Sequence, residues 1–564
     1  LQPTDWQITL LWAAAAGFLG AMAAIMFTGL TEGVHGLLTG SRAGIVDSIR
    51  LLPWWAVVLI PGLGGLLAGL VLLFGQRLAP GQSSTDSMEA IVIGSGRIPV
   101  RASLVKSCAA LFSIGSGGSI GREGPLVQMA AVMASLIGRW RGLPPLQQRL
   151  LVACGASAGI ASAYHAPIAG SFFVAEIILG TIAMESLGPL VVSAVVATLT
   201  IRGFTNEAQL YNVPAFKLNS LWEIGPYVVL GLVAGTVAPW FLGSLKQAEG
   251  FFVSLKLPLA LRLMLGGLLV GAIAVWVPEV CGNGYTVVVG ILNGDFAWTF
   301  LLLIFACKWL ATASSFGSGA PGGVFTPALF MGASTGFLFG TAVHTYWPAG
   351  AADPRAFALV GMGAFLAAVS HAPLMAIIML FEMTLSYDIV LPLMLCSVVA
   401  YYTAKGLQNR SLYSESLKKK ESEEPDGVPL ESNFVGDLMK PDPPTVRQNA
   451  SFADIARLFL SVRVNNIYVI DVQGTFLGAV SLHDIKPYLA ETNVADVVIA
   501  NDILHEDFPR IRSDESLSQG LTRFTGVTAE RLPMVDKTGK LIGSLAKGDL
   551  LLALVELQRI KPRN

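Results

Sequence analysis

Charge is spread along this chain as though its two ends lay in different solvents. Residues 414–564 hold 22 acidic and 18 basic side chains, whereas the 413 residues before them hold only 35 charges in all. That is about 26% against about 8%, where an ordinary soluble domain sits near 25%. The first part therefore reads as embedded in a membrane and the second as water-soluble. Ile8–Leu30 is 23 residues without a charge and Leu51–Gly75 is 25, each enough for one helix through hydrocarbon. The formal net charge of -1 offers no basic face for nucleic acid. Cys108, Cys154, Cys281, Cys307 and Cys396 form no CxxC pair or disulfide framework, and the six histidines show no metal-ligand spacing. No cleavable signal pattern is read at the start of the chain.

Other apolar runs do not suit simple up-and-down spans. Gly124–Gly138 is too short, and Trp309–Ala352 is 44 residues without a formal charge but is broken by Gly-Ser-Gly and Pro. Such segments predict tilted or broken helices that meet near the membrane middle. A repeat supports this. GASAGIASAYHAPIAGSFFVAE (155–176) matches GMGAFLAAVSHAPLMAIIMLFE (361–382) at His165/His371, Pro167/Pro373 and Glu176/Glu382. Upstream, GSGGSIGREGP (115–125) stands against GSGAPGGVFTP (317–327). Matching features in the same order predict two halves, about 1–205 and 206–413, with a solute site at their interface. The soluble part repeats as well, each copy reading as a short β-α-β-β-α unit with a turn at Gly474 or Gly539 and a helix started by Asp.

The two glycine-rich loops carry the chemistry. Glycines let backbone N–H groups turn toward a ligand, and the Pro125 that follows suits the first turn of a helix. Helix starts attract anions without a full cation. Two of them, facing each other among few buried Lys or Arg, would hold a small anion loosely enough for fast release. A structural glycine hinge is the plainer alternative. Glu123, inside the first loop, is an expensive group in an apolar region and hence a functional candidate. Its carboxylate is itself an anion, so it can occupy the substrate's place and leave on protonation. The alternative is a plain ion pair with Arg122.

GREGP, GSGAPGGVFTP and a C-terminal SLYS resemble the CLC family of chloride channels and chloride/proton antiporters. STDSMEAI, the VKS before the first loop and GNGY (282–285) look most like its ClcB-like bacterial branch, and the soluble tail resembles paired CBS domains. The resemblance implies an α-helical polytopic membrane protein with an inverted-repeat fold over 1–413. A polar linker (414–434), a first CBS copy (435–490) and a second (491–564) follow. It further implies a homodimer in a bacterial inner membrane, with the CBS pair in the cytoplasm. The gating glutamate falls on Glu123, in the anion loop Gly121, Arg122 and Gly124. Anion-binding amides fall on Val324 and Phe325, and a central tyrosine on Tyr413. The usual serine donor of the family's GSGIPE is replaced within GQSSTDS, which leaves Gln82, Ser83 and Ser84 as donors. Many antiporters carry a second proton-transfer glutamate where this chain has Ile177, so a channel or weakly coupled transporter is expected, with a stoichiometric antiporter as the alternative. Glu176 is expected to pack inside the protein. CBS pairs often bind an adenine nucleotide; Ser481, Asp484 and Asp549 match that site, although Asp also caps helices well. No other cofactor or metal is implied. A zinc protease lacks HExxH, and a CBS-gated magnesium channel would want more acids in the membrane part.

Overall fold

Apolar segments of unequal length, punctuated by glycine and proline, fold here into helices of very unequal length. The computed structural model describes residues 5–78, 87–92, 96–180, 184–205, 211, 221–348, 353–408, 434–461, 464–485, 498–524 and 529–550. The chain forms two units, Leu1–Lys419 and Lys420–Asn564.

The first unit is helical. Its first half holds α1 (Asp5–Thr39), α2 (Ile45–Arg50), α3 (Trp54–Leu78), α4 (Ser87–Val92), α5 (Val100–Gly115), α6 (Glu123–Arg141), α7 (Pro145–Tyr164), α8 (Pro167–Phe172) and α9 (Met184–Thr205). Its second half holds α10 (Ile224–Ser254), α11 (Leu259–Ala274), α12 (Tyr285–Asn293), α13 (Trp298–Ser318), α14 (Phe325–Tyr346), α15 (Pro354–Ser370), α16 (Pro373–Thr384) and α17 (Val390–Leu407). Among the described residues, seven helices have the length and apolarity to cross a membrane, lying within α1, α3, α9, α10, α13, α14 and α17. The protein is thus a multi-pass membrane protein. Helix α1 runs past the uncharged Ile8–Leu30 stretch, because His35 is buried with its Nδ1 2.9 Å from the Gly115 carbonyl oxygen.

The same neighbours recur in both halves. Helix α6 packs on α7 as α14 packs on α15; α1 packs on α9 as α10 packs on α17; α3 packs on α5 as α11 packs on α13. Across the halves, α3 packs on α11 and α8 on α16, each on its own counterpart. Self-pairing of this kind belongs at the axis relating two repeats. Small residues make the close approach: a Cβ on Gly271 would stand 2.7 Å from the Val57 carbonyl oxygen of α3.

The repeated HAP is a helix stop and restart. His165 and His371 take left-handed backbone (φ 56° and 57°) at the ends of α7 and α15, and Pro167 or Pro373 then opens the next helix. The matching glutamates close this arrangement reciprocally. Glu176 accepts from the Met375 N–H (2.7 Å) and the Leu374 N–H (3.3 Å) at the start of α16. Glu382 accepts from the Ala169 N–H (2.7 Å) and the Ile168 N–H (3.0 Å) at the start of α8. Each half thus supplies the carboxylate that satisfies the other half's orphan helix-start donors. Glu176 sits in a π-helical turn, Phe173–Ile178, beside Ile177.

Among its described residues, the second unit holds two three-stranded sheets of identical topology. In one, β1 (Thr445–Arg447) runs parallel to β2 (Asn466–Ile470), which pairs antiparallel with β3 (Phe476–Ser481). In the other, β4 (Ile511–Arg512), β5 (Arg531–Val535) and β6 (Leu541–Ala546) repeat the pattern. The hairpin turns also match, with Gly474 and Gly539 at φ 85° and 86°. Backbone N–H groups, chiefly that of Thr475, hold the Asp471 carboxyl below the usual carboxylate range; the Thr538 hydroxyl, followed by nearby amides, does the same for Asp536. The Asp-started helices expected after β3 and β6 are not seen: Asp484 lies inside the helix Leu482–Ile485, and Asp549 inside a helical turn beginning at Lys547. Leu482, not the aspartate, follows the strand directly, so the turn leaves Asp484 no N-cap position.

Candidate anion-binding site

Two helix starts from opposite halves meet through their backbones. The Gly121 N–H donates to the Gly323 carbonyl at 2.7 Å, and the Gly323 N–H returns a bond to the Gly121 carbonyl at 2.8 Å. Glycine is required here by space: a Cβ at either position would collide with the Glu123 side chain. The first loop is also tied to α13, Ser119 N–H to Ser315 Oγ at 3.1 Å.

Glu123 opens α6 and is 5% exposed. Its Oε1 accepts from the Phe325 N–H at 2.8 Å and the Thr326 N–H at 3.3 Å, and its Oε2 accepts from the Thr326 hydroxyl at 3.1 Å. The carboxylate of one half therefore fills the positive end of α14 in the other half. Among the described residues no ion pair joins it to Arg122, which forms the N-cap of α6. Tyr164, the last residue of α7, lies with its hydroxyl 2.9 Å from the Thr326 hydroxyl and its ring 5.1 Å from that of Phe325. Beside the carboxylate is a cavity of about 20 Å³, room for one water-sized sphere, lined among others by Arg122, Tyr164, Tyr211, Asn283 and Tyr285.

The structure brings Gly121, Glu123, Gly124 and Phe325 together; a Cβ on Gly124 would stand 3.6 Å from the Gly323 nitrogen. Val324 supplies the N-cap of α14, and the donors on Glu123 are its two successors. Thr326, Tyr164, Tyr211, Asn283 and Tyr285 were not anticipated. Thr326 was legible as the hydroxyl within GGVFTP, and Tyr164 as the residue before HAP. The others reach the site through packing alone. Gln82, Ser83, Ser84 and Tyr413 lie outside the described residues. Among the described residues the membrane part buries one lysine completely, Lys308 of α13, which is 0% exposed.

In the second unit a cavity of about 650 Å³ is lined by Phe459, Asn465, Asn466, Tyr468, Arg531 and Ser544 among others. Its volume lies in the range of small-molecule sites. Of the expected nucleotide residues, Ser481 ends β3, Asp484 lies in Leu482–Ile485, and Asp549 pairs with Lys440 at 2.7 Å. Neither Ser481 nor Asp549 is among the described lining residues of that cavity.

Comparison with known proteins agrees with this organisation. The family model described as voltage gated chloride channel matches residues 64–405, and the CBS domain model matches 435–491 and 499–556. A ClcB-like chloride channel protein of Ralstonia nicotianae is 50% identical over 411 residues, which are 72% of this chain and 96% of that one. A voltage-gated ClC-type chloride channel ClcB of Escherichia coli (strain K12 / DH10B) is 38% identical over 410 residues, 72% of this chain and 98% of that one. The structure of a slow cyanobacterial Cl-/H+ antiporter aligns with TM-score 0.65 and 25% identity, covering 75% of this chain and 99% of that chain. A eukaryotic CLC transporter shares the fold over 96% of this chain and 97% of its own, with TM-score 0.64 and 18% identity.

Proposed function

Because the chain belongs to the voltage-gated chloride channel family, and carries a pair of CBS domains, we propose that its membrane unit moves chloride and similar monovalent anions across a bacterial inner membrane, with Glu123 as the gate. The observation that carries this reading is the Glu123 carboxylate seated on the Phe325 and Thr326 donors. A carboxylate and a chloride ion ask the same of that helix start: neutral donors and a positive dipole end. An anion enters when the carboxylate leaves, so gate and cargo compete for one place. The relatives named as chloride channels support the choice of anion. The homodimeric state, the cytoplasmic position of the CBS pair and an adenine nucleotide as its ligand belong to the same proposal. Anion efflux from liposomes containing the purified protein tests it. Chloride flux is expected; potassium-selective flux without chloride flux would sink it.

Within this reading the protein is a channel or a weakly coupled transporter. Fixed exchange requires a proton route from both sides to the anion site. At the position of the expected second carboxylate stands Ile177, and the adjacent Glu176 is turned onto the Leu374 and Met375 amides. A bare proton crossing apolar surroundings is costly. A stoichiometric antiporter is the second reading, favoured by the likeness to a Cl-/H+ antiporter structure. Proton and chloride fluxes measured together decide between them. Little proton uptake down a chloride gradient is expected, with Ile177→Glu changing coupling more than chloride affinity. A fixed nonzero ratio in the unmodified protein would make the second reading correct.

A further inference from the structure

Among the described residues, Lys308 is a fully buried lysine of the membrane unit that the gating scheme leaves without a role. It lies on α13 and is 0% exposed. Its Nζ donates to the Val280 carbonyl at 2.8 Å and to the Gly282 carbonyl at 2.7 Å. It also stands 5.9 Å from the centre of the Phe330 ring of α14, five residues after Phe325. The segment it grips is continuous with the wall of the Glu123 cavity. The Gly282 N–H donates to the Gly117 carbonyl of the first glycine-rich loop (3.2 Å), and the next residues, Asn283 and Tyr285, line that cavity. Asn283 Oδ1 accepts from the Tyr285 N–H at 3.1 Å, which starts α12. Gly282 and Gly284 both have positive φ, 69° and 92°, and Phe330 packs under Gly284, where a Cβ would meet it at 3.2 Å. From the other side, Arg50 of α2 pairs with the buried Glu279 at 2.6 Å.

We propose that Lys308 is a positioning residue that lends the anion pathway a positive charge: it holds the 280–285 segment against the Glu123 cavity and raises the affinity with which an anion is drawn there. The inference rests on the reading of the membrane unit as an anion pathway. The Val280 and Gly282 carbonyls stand just before the lining residue Asn283, and their negative ends would disfavour an anion held in that cavity. An ammonium on both cancels that field and leaves a net positive one, which low-dielectric surroundings screen poorly. Because the ammonium binds carbonyls rather than the anion, it attracts without forming a direct ion pair that would trap the cargo.

The test is initial-rate chloride uptake into liposomes by the full-length protein, over a range of chloride concentrations, for Lys308→Met, Lys308→Gln and Lys308→Arg. Methionine keeps the stem and removes donor and charge. Glutamine keeps donors without charge, and arginine keeps both. The half-saturating chloride concentration is expected to rise about tenfold or more in Lys308→Met and Lys308→Gln, and to stay within about threefold in Lys308→Arg. Unaltered half-saturation in Lys308→Met, or recovery of it in Lys308→Gln, would overturn the proposal, the latter because hydrogen bonds and not charge would then suffice. If neither neutral variant assembles, Lys308→Arg decides alone: a value within about threefold supports the proposal and a tenfold rise overturns it. Absence of chloride flux in the unmodified protein would instead defeat the transport reading itself.

Discussion

At the scale of single residues, the proposed function makes the site a contest between two anions for one set of donors. Glu123 reaches 202 and 203 positions along the chain to the Phe325 and Thr326 donors. Glu123→Gln removes the charge that competes with the cargo. It is expected to raise chloride flux and to flatten its dependence on pH, read from liposome efflux across a pH series; a variant as pH-sensitive as the unmodified protein would remove Glu123 from the gate. The Thr326 hydroxyl is one of three donors on that carboxylate. Hydrogen bonds to a charged group contribute about 1.5–3 kcal/mol, so Thr326→Val is expected to raise resting flux roughly tenfold or more. Tyr164→Phe removes the bond behind the Thr326 hydroxyl and is expected to change flux less. Equal effects from the two would place the tyrosine, not the threonine hydroxyl, in control of the gate.

At the scale of elements, the broken helices are held by their exchanged caps. Helix α8 runs on through the π-helical turn to Ile178, and Glu382 of α16 supplies the acceptors for the orphan donors at its start. Glu382→Ala leaves two N–H groups at that helix start without their carboxylate. It is expected to destabilise the membrane unit by about 2 kcal/mol or more, with Glu382→Gln costing less because its amide oxygen still accepts. Thermal unfolding in detergent checks the order of the two; a Glu382→Ala protein as stable as the unmodified one would show that other partners satisfy α8. The reciprocal bond from Glu176 to α16 also explains a point of chemistry. On the proposed reading, Glu176 caps α16 rather than carrying protons for its neighbour Ile177.

At the scale of the whole molecule, each unit has its own core. Phe325, Phe357 and Phe365 belong to the one in the membrane unit, whereas Val435, Ile511 and Leu532 form one in the second. Deletion of residues 414–564 is therefore expected to leave a folded membrane unit that still moves chloride but responds differently to regulation. Size-exclusion profile and liposome flux of the truncated protein check this; expression without membrane assembly would contradict it.

The chain's own pattern determined the division into two solvents, the duplication and the two facing loops. All three are written in local features, namely charge density, apolar run length and short motifs whose glycines and prolines have fixed backbone meanings. HAP could be read as a repeat, and Glu123 as a group too costly to be idle. Pairings across the chain could not be read. Nothing in the spacing says that Gly121 bonds Gly323, that Glu176 and Glu382 exchange helices, or that the carbonyls of Val280 and Gly282 need Lys308. A lysine within an apolar run looks the same whether it snorkels to the surface or is buried, and only the packing of α13 against its neighbours removed it from water. Tertiary structure decided these points because a hydrogen bond depends on distance in space, and two halves folded about an axis bring together residues that the sequence holds about two hundred positions apart.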